Sequence, residues 1–572
     1  MTTTSFVARL RRLFSPNKSV KRESVRHLRL MQLEDRRVLN ASLALATGID
    51  LVGGESLTVQ DGGMQDVGAG NEQTVDLVLD SGTWTIDGAL DMSRYDLSAD
   101  SKTLTIDHDA LSDGGAVLDA SNVLLIQGED ATTDSVTLDL DGLDFVPTGG
   151  ISFTAGEDPG HGDNDSLTVT GYNVASLNVN HTGPEAGNLV LDGLGTITFS
   201  EIEPLTLGGT AADLIITLPS GVDNTVVLSD DGTAGNGFSQ INGAFEVTTF
   251  ATPSNSLTIK DGTGLKEISV QGLDSLFSAD VAIQDDDATD DNIVTFESNP
   301  MNTLGGDLTV DAETIAVDTS VSTGGGNVDF NAESSVSSMV AGSITTTATA
   351  DSGTASGSVQ INAGAGVNLL GMIDTSGADH SVAAATASAG GQIDINTLDG
   401  SIAVAVIDSS GGTATGGGVS TGGNGASINI LAADAGSDDT HNVTLNAAVT
   451  TVGGNGATNG TGMDVKVTAD NDLSVNAVSL GSGDLFLDVT GNVTQTATIT
   501  AAGLALMVDG TTTLNSANDV DTLAADNGGE TLFTDADGAA VGSVTVDGMT
   551  VTGITTSADD VKLTMTTGNL SI

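Results

Sequence analysis

Three acidic clusters contain the residues best suited to chemistry in this chain. Carboxylates and turn carbonyls are oxygen ligands of the kind that Ca²⁺ takes in flexible geometry. None of the clusters has the spacing of an EF-hand loop, and GGGNVDFNA (324–332) does not reproduce the glycine-rich calcium-binding nonapeptide. The sequence therefore allows Ca²⁺ as a cofactor without fixing a metal ligand, and solvated acidic turns are the alternative. The clusters are EDPGHGDNDS (Glu157 to Ser166), QDDDATDDN (Gln284 to Asn292) and TDADG (Thr534 to Gly538).

Carbohydrate cleavage is the one enzymatic reaction that the sequence leaves open. A lyase acting on acidic sugars would need a basic residue, and only Lys466 and Lys562 follow Lys266. A glycoside hydrolase needs two carboxylates about 5–9.5 Å apart and no Lys, Arg or His side chain. Asp329 and Asp394 are predicted to face outward in equivalent columns without being neighbours, which favours a solubilising role. We therefore predict no enzymatic activity and no catalytic residue, with a carboxylate-based, polysaccharide-degrading glycoside hydrolase as the alternative.

Other catalytic patterns give no support to a reaction. The histidines form no HxxxH or HExxH pair, and no GxSxG elbow precedes a helix. GGNGASINI (422–430) lacks the strand, lysine and helix of a phosphate-binding loop. Cysteine is absent, which excludes disulfides, thiolate metal sites and thiol nucleophiles. The histidines are His27, His108, His161, His181, His380 and His441.

Charge and composition limit the partners and the core. Ten of the 16 Lys and Arg residues lie in the first 38 positions, and the rest of the chain carries 74 Asp and Glu and a net charge of −68. Nucleic-acid binding requires Lys and Arg to replace phosphate counterions, so neither nucleic acid nor an anionic membrane surface is an expected partner of the chain after residue 38. With 74 Gly and 3% aromatic residues, the core must consist of small and β-branched side chains.

Residues 1–48 form a basic N-terminal segment. SFVARLRRLF (5–14) has the spacing of a short amphipathic helix, which is either a removable targeting segment or a membrane-contacting one. Further on, LEDRRVL (33–39) resembles the LEPR-XLL type of segment on large planctomycete surface proteins, with Asp35 in place of proline and Val38 in place of leucine. The resemblance implies export to the cell surface or the extracellular space. No stretch approaches the roughly 18 apolar residues of a membrane-spanning helix.

Residues 301–572 repeat a unit of about twenty residues. The unit recurs at intervals of 19–21 residues, or of 31–37 residues where Gly/Ala/Ser/Thr-rich inserts occur near 332–357, 375–390, 408–425 and 449–462. Three short strands per unit, for example at 359–361, 367–370 and 372–374, predict an all-β fold, a parallel β-helix (β-solenoid) whose coils stack at about 4.8 Å. The first apolar residues of the units are Leu308, Val328, Val359, Ile393, Ile428, Val465, Leu485, Leu504, Leu523, Val544 and Leu563.

An Asn/Asp column accompanies the first strand of the unit, at Asp311, Asn331, Asn362 and Asn396. Side-chain amides stacked at the coil spacing can form a hydrogen-bonded ladder, and ordinary turn residues are the alternative. Residues 49–300 are less regular. They are predicted to be an irregular start of the solenoid or one or two β-sandwich domains, with the change near Asn299 and Pro300.

The GxVxINA…GxVNLLGxIDTSG style of the repeat resembles the β-helical regions of filamentous haemagglutinin-like and autotransporter adhesins. The resemblance implies the architecture of residues 301–572. We therefore predict an exported structural or adhesive surface protein. Its rigid solenoid would display the inserts to glycan, protein or neighbouring copies. A surface-layer or matrix component without a specific ligand is a further alternative.

Overall fold

The structure is a computed structural model, and its described part is entirely β. It describes residues 49–50, 56–67, 70–79, 95–97, 103–107, 123–128, 133–141, 146–147, 149–156, 165–285, 292–433, 441–557 and 560–572. The basic N-terminal segment, residues 1–48, lies outside these residues. Within them, no helix is long and apolar enough to cross a membrane. All of the described residues belong to one compact unit.

Three stacks of parallel strands build residues 301–572, as the repeat predicts. The first stack contains Leu308–Val317, Val328–Ser338, Val359–Ala363, Ile393–Thr397, Ile428–Ala432, Val465–Ala469, Asp484–Val489, Ile499–Val508 and Thr512–Asn527. Long strands such as Val328–Ser338 bend and continue into the second stack, which adds Gly366–Leu369, Ile402–Val404, Val443–Leu445, Leu473–Val475, Val493–Gln495, Thr531–Asp535 and Val561–Met565. The third stack contains Met301–Asn302, Val321–Ser322, Ile344–Thr345, Ile373–Asp374, Ile407–Asp408, Val449–Thr450 and Val478–Ser479 before it reaches Ile499–Val508.

The register of the first stack confirms the predicted repeat up to Leu523. Leu308 pairs with Val328, and the pairing continues through each predicted position to Leu504 and Leu523. The prediction is wrong for the last two positions. Val544 lies in an antiparallel hairpin, Ser543–Val546 with Met549–Thr552, and Leu563 pairs with Phe533 in the second stack. A spacing of about twenty residues shows that a strand recurs once per coil, but it does not show which stack that strand joins. Here the hairpin at 543–552 shifts the path of the chain, so Leu563 keeps the spacing but lies in the second stack.

A narrow aliphatic core fills the coils. Along each strand, side chains alternate between the core and the outer surface, so Val359 and Ile361 are fully buried while Gln360 is exposed. A single hydrophobic cluster runs from Leu57 to Phe533. Few rings are needed because each coil packs its small side chains against the coils above and below.

One corner of the coil explains why inserts are tolerated. A buried hydroxyl follows six of the third-stack strands and donates to a carbonyl just before the next first-stack strand. Thr303 donates to Gly306 across three residues, whereas Thr375 donates to Gly391 at 2.6 Å across a long insert. The same hydrogen bond therefore closes the coil with or without an insert. The other members are Thr323, Thr346, Ser409 and Thr451.

The inserts themselves pair with one another. They leave the coils at 346–358, 375–392, 409–427 and 451–464, so the predicted 332–357 begins too early, because 332–338 belong to strand Val328–Ser338. Backbone bonds link successive inserts: Gly412 N–H donates to Ser388 O at 2.9 Å, and Gly454 N–H donates to Gly423 O at 2.8 Å. A Cβ on Gly454 would lie 1.8 Å from the Gly412 carbonyl oxygen. We call this paired set the insert layer.

Residues 49–300 continue the parallel coils and add antiparallel hairpins. The first stack extends back through Asp280–Gln284, Ser256–Lys260, Thr210–Thr217 and Asn173–Gly183, and the second through Ile293–Phe296, Lys266–Val270 and Asn224–Asp230. These pairings cross residues 299–300, which supports the irregular solenoid over a separate sandwich. Further parallel stacks are Ile49–Asp50, Leu124–Gln127, Ile151–Thr154 and Gly195–Ser200, and Ser56–Val67, Ser135–Asp139, Ser166–Thr170, Leu205–Leu207 and Thr248–Ala251. The antiparallel additions are Gly70–Leu79, Thr103–Asp107, Tyr95–Leu97, Ala186–Leu191 and Phe238–Asn242.

The hairpin that contains Val544 folds back onto the outer face of the first stack. It interrupts the last first-stack strand, whose parts Ala540–Val541 and Ile554–Thr556 pair with Thr512–Asn527. Val544, Val546 and Val551 form a second small core with Phe486, Ala505 and Ala524. The hairpin thus covers the apolar end of this outer face.

Candidate functional site

The outer face of the first stack is mostly polar where it is not covered by the hairpin. It carries two columns of side chains, which alternate with the buried ones along each strand. The column nearer the bend into the second stack, here called the amide column, is Asp311, Asn331, Asn362 and Asn396. The other column, here called the mixed column, is Asp329, Gln360, Asp394, Asn429 and Lys466.

The amide column is hydrogen-bonded as a ladder. Asn331 Nδ2 donates to Asp311 Oδ1 at 3.0 Å, and Asn362 Nδ2 donates to Asn331 Oδ1 at 2.8 Å. Asn396 Nδ2 donates to Asn362 Oδ1 at 3.1 Å. These bonds confirm the predicted ladder and fix the orientation of each amide.

A groove of about 760 Å³ runs beside the amide column, where the coils bend from the first stack to the second. The amides form one wall. The other wall lies at the bend, just after the last residues that pair in the first stack. It consists of Glu333, Gly364, Leu398 and Ala433. Leu398 is 64% exposed, and Leu431 continues the amide column as an apolar residue. The groove is thus acidic at the Asp311 end and aliphatic at the Leu431 end.

The mixed column contains the two carboxylates considered for hydrolysis. As predicted, Asp329 and Asp394 occupy equivalent outward positions, and Gln360 lies between them. At about 4.8 Å per coil, their backbones are about 10 Å apart. Burial, together with the Asp311 carboxylate, raises the pKa of Asp329, and burial raises the pKa of Asp394. Gln392 Nε2 donates to Asp394 Oδ2 at 2.8 Å.

A smaller cleft of about 290 Å³ lies between the mixed column and the tip of the hairpin. It is lined by Asp394, Asn429, Lys466 and Asp464 on the solenoid and by Asp547 at the turn of the hairpin. Asp547 has a φ of 50° and is followed by Gly548 with a φ of 75°, as a tight hairpin turn requires. The cleft therefore combines one ammonium group with several carboxylates.

The acidic clusters are only partly described. Residues 157–164 and 286–291 lie outside the described residues. In the third cluster, Asp535 is fully buried and accepts from the backbone N–H groups of Val520, Asp537 and Gly538 at 3.1, 3.2 and 2.8 Å. Its carboxylate is thereby used to hold a turn. Within the described part of the chain, no three His, Asp or Glu side chains are grouped as a metal site would need.

The described histidines lie far apart in the chain and have different partners. His181 is buried against Phe245, with ring centroids 4.5 Å apart, and its Nε2 lies 3.2 Å from Thr248 Oγ1. Burial lowers the pKa of His181 to about 4. His380 Nδ1 lies 2.9 Å from Asp351 Oδ1, and His441 Nε2 lies 3.3 Å from Asp399 Oδ1. His27, His108 and His161 lie outside the described residues.

Two buried ionisable groups were missed by the sequence patterns. Lys266 is fully buried, and its Nζ donates to the carbonyl oxygens of Val222, Thr263 and Gly264 at 2.9, 2.7 and 2.9 Å. Glu246 is 5% exposed, and burial together with the Glu203 and Glu185 carboxylates raises its pKa to about 8. For Lys266, the only signal in the sequence was an isolated lysine at the start of a strand. For Glu246, no local sequence pattern indicated a buried carboxylate.

Comparison with known proteins gave no match, whether to family models, to curated proteins or to solved structures. The resemblances to planctomycete surface proteins and to β-helical adhesins therefore stay predictions.

Proposed function

We propose that this protein is an exported structural or adhesive element of the cell surface or the extracellular matrix. Its solenoid would hold the insert layer and the polar outer face of the first stack in fixed positions for contact with glycan, protein or neighbouring copies. Display by a rigid repeat scaffold is a common use of solenoid folds. No reaction is needed for this role.

The observation that carries the proposal is the register of the inserts. Isolated bridges join Thr386 to Thr421 and Thr421 to Thr458, so three successive inserts present equivalent residues at the coil spacing. Val382 and Val419 are 54% and 78% exposed on two of these inserts. A repeated, backbone-paired surface offers many weak contacts at once, and linked weak contacts bind with high avidity.

Retention on a printed array of glycans, matrix proteins and the chain itself tests this proposal. Beads coated with the full chain should be retained. A Val382→Asp/Val419→Asp variant should lose most of that retention, because it adds charge to the exposed insert layer without touching the core. Val340→Asp is the matched control, since Val340 is 79% exposed at a corner outside the inserts. Retention on no array component would contradict the adhesive role, and equal loss in all variants would contradict the role of the inserts.

A polysaccharide-degrading hydrolase is the second candidate. The specific observation in its favour is that Asp329 and Asp394 lie on one face, and that both pKa values are raised. Carboxylates that are protonated at higher pH than usual can act as general acids. Release of reducing ends from soluble polysaccharides by the full chain, lost in Asp394→Asn, would establish this activity. Absence of release by the unmodified chain would reject it.

A further inference from the structure

The amide ladder leaves hydrogen-bonding groups that the fold does not use. An asparagine side chain has two N–H donors and two acceptor lone pairs. The ladder uses one donor and one lone pair on Asn331 and on Asn362, and Asn331 donates a further side-chain hydrogen bond to the Asp329 carboxylate. Both residues are partly exposed and line the groove. The coil of Asn362 therefore offers one donor and one acceptor to a molecule lying in the groove, and the coil of Asn331 offers one acceptor.

The spacing of these groups selects the kind of polymer that can use them. Successive amides are one coil apart, about 4.8 Å. An extended peptide advances about 3.3 Å per residue, so its polar groups fall out of step with the coils. A β-linked hexopyranose chain advances by one ring over nearly the distance of one coil, and each ring carries hydroxyls that both donate and accept. The ladder therefore fits a glycan better than a peptide.

Charge and apolar contacts further restrict the kinds of glycan that the groove could bind. Asp311 and Glu333 line one end of the groove on a chain with a net charge of −68 after residue 38, so an acidic glycan would be repelled. Leu398, Leu431 and Ala433 line the other end, where the C–H faces of sugar rings can pack against aliphatic side chains. The groove volume of about 760 Å³ holds several rings rather than one.

We propose that this groove binds a neutral, unbranched, β-linked polysaccharide lying along the solenoid axis with one ring per coil. The inference rests on the proposed adhesive function and names a ligand class and a site for it that is separate from the insert layer.

Calorimetric titration of the full chain with cellohexaose tests the proposal. We expect binding of cellohexaose, weaker or no binding of maltohexaose, whose α-linked chain curves, and no binding of an anionic galacturonate hexamer. Leu398→Ser removes apolar contact area from the groove and should weaken cellohexaose binding roughly fivefold. Ala433→Glu, which adds bulk and charge to the same wall, should abolish it. Val340→Ser, at a similarly exposed valine outside the groove, should bind like the unmodified chain.

Several results would overturn the assignment. One is failure of cellohexaose to bind, and another is binding that Leu398→Ser and Ala433→Glu leave unchanged. A third is binding of an extended Ser-Lys repeat peptide in place of cellohexaose, sensitive to the same two variants, which would make the groove a peptide site. If beads coated with the chain are still retained on the array while cellohexaose does not bind, the groove proposal fails and the adhesive function stands. If the beads are not retained and cellohexaose does not bind, both the adhesive function and the groove proposal are rejected.

Discussion

Lys266 shows how one charged side chain can hold a turn together. Its ammonium group lies at the start of a second-stack strand and is surrounded by the carbonyls of Val222, Thr263 and Gly264. The backbone N–H of Lys266 donates to Asn292 Oδ1 at 2.8 Å, and Asn292 in turn donates to Asp261. A fully buried cation is tolerated only with such a set of partners.

Replacing this lysine should therefore be costly. Lys266→Met keeps the length of the side chain but leaves the carbonyls without their donor, and we expect a loss of about 3–5 kcal/mol in the free energy of unfolding. Chemical denaturation measures the change. Lys260→Met, at a partly exposed lysine that ends the first-stack strand of the same coil, is the control and should change the free energy of unfolding by less than about 1 kcal/mol. Equal stability of the two variants would contradict the structural role of Lys266.

Glu246 predicts a pH dependence of stability. Its pKa is raised from 4.5 to about 8, so in this pH range the folded chain holds a proton that the unfolded chain has lost. Its contribution is fully present below pH 4.5 and is lost as the pH rises through 8. We expect the melting temperature to fall between pH 6.5 and 8.5, and Glu246→Gln to reduce that fall. Glu267→Gln, at an exposed glutamate nearby, should leave it unchanged. A fall of the same size in both variants would rule Glu246 out as its source.

The titration of His181 changes the stability in the opposite direction, at lower pH. Its pKa is lowered from 6.5 to about 4, so its contribution is present above pH 6.5 and is lost as the pH falls through about 4. The two groups together place the greatest stability of this region in mildly acidic solution.

At the scale of the strands and corners, a glycine two residues before the first-stack strand limits what the sequence can vary in four successive coils, at Gly306, Gly326, Gly357 and Gly391. The backbone of this column is so closely stacked that a Cβ on Gly391 would lie 1.8 Å from Gly357 O, and a Cβ on Gly357 would lie 2.0 Å from Gly326 O. Inserts vary freely in length because they leave the coil between a buried hydroxyl and the carbonyl that accepts from it, which belongs to Gly357, Gly391, Ala426 or Met463. The corner hydrogen bond, and not the length of the segment, defines the unit.

Gly391→Ala should accordingly destabilise the protein. The added methyl group must displace backbone, and we expect a loss of about 1–3 kcal/mol in the free energy of unfolding. Gly417→Ala is a matched control in the insert layer, because no atom lies within 4 Å of its added Cβ. Thermal unfolding of the two variants measures this difference. An equal loss of stability in both would mean that the close backbone stacking at Gly391 does not restrict the residue at this position.

On the scale of the whole molecule, the first stack runs from Leu177 to Leu523, a length of about 60 Å at 4.8 Å per coil. Each coil contacts only its neighbours, so stability is close to a sum of coil and interface contributions. The net charge of −68 after residue 38 opposes this stacking along its whole length.

Salt should therefore stabilise the chain. Raising NaCl from about 10 mM to 200 mM shortens the screening length from about 30 Å to under 10 Å and should raise the melting temperature by several degrees. Near pH 4, where many carboxylates are protonated, the same addition should have a smaller effect. Comparing CaCl₂ with MgCl₂ at equal ionic strength separates screening from specific binding. A larger rise with Ca²⁺ would support the calcium sites that the acidic clusters allow, and equal rises would count against them.

The sequence by itself determined the solenoid of residues 301–572. Alternation of side chains and recurrence of the unit are properties of short segments, so Val359 and Ile393 could be placed in one column, and the amides of Asn331 and Asn362 in one ladder, without coordinates. Only the tertiary structure decided which stack the later units join, as Val544 and Leu563 show, because the hairpin at 543–552 shifts the path without changing the spacing. It also decided that the parallel coils continue through residues 299–300, that the inserts pair with one another, and that a groove borders the amide column. The physical reason is that pairing partners, burial and concavity depend on segments far apart in the chain, and a local pattern carries no information about those distances.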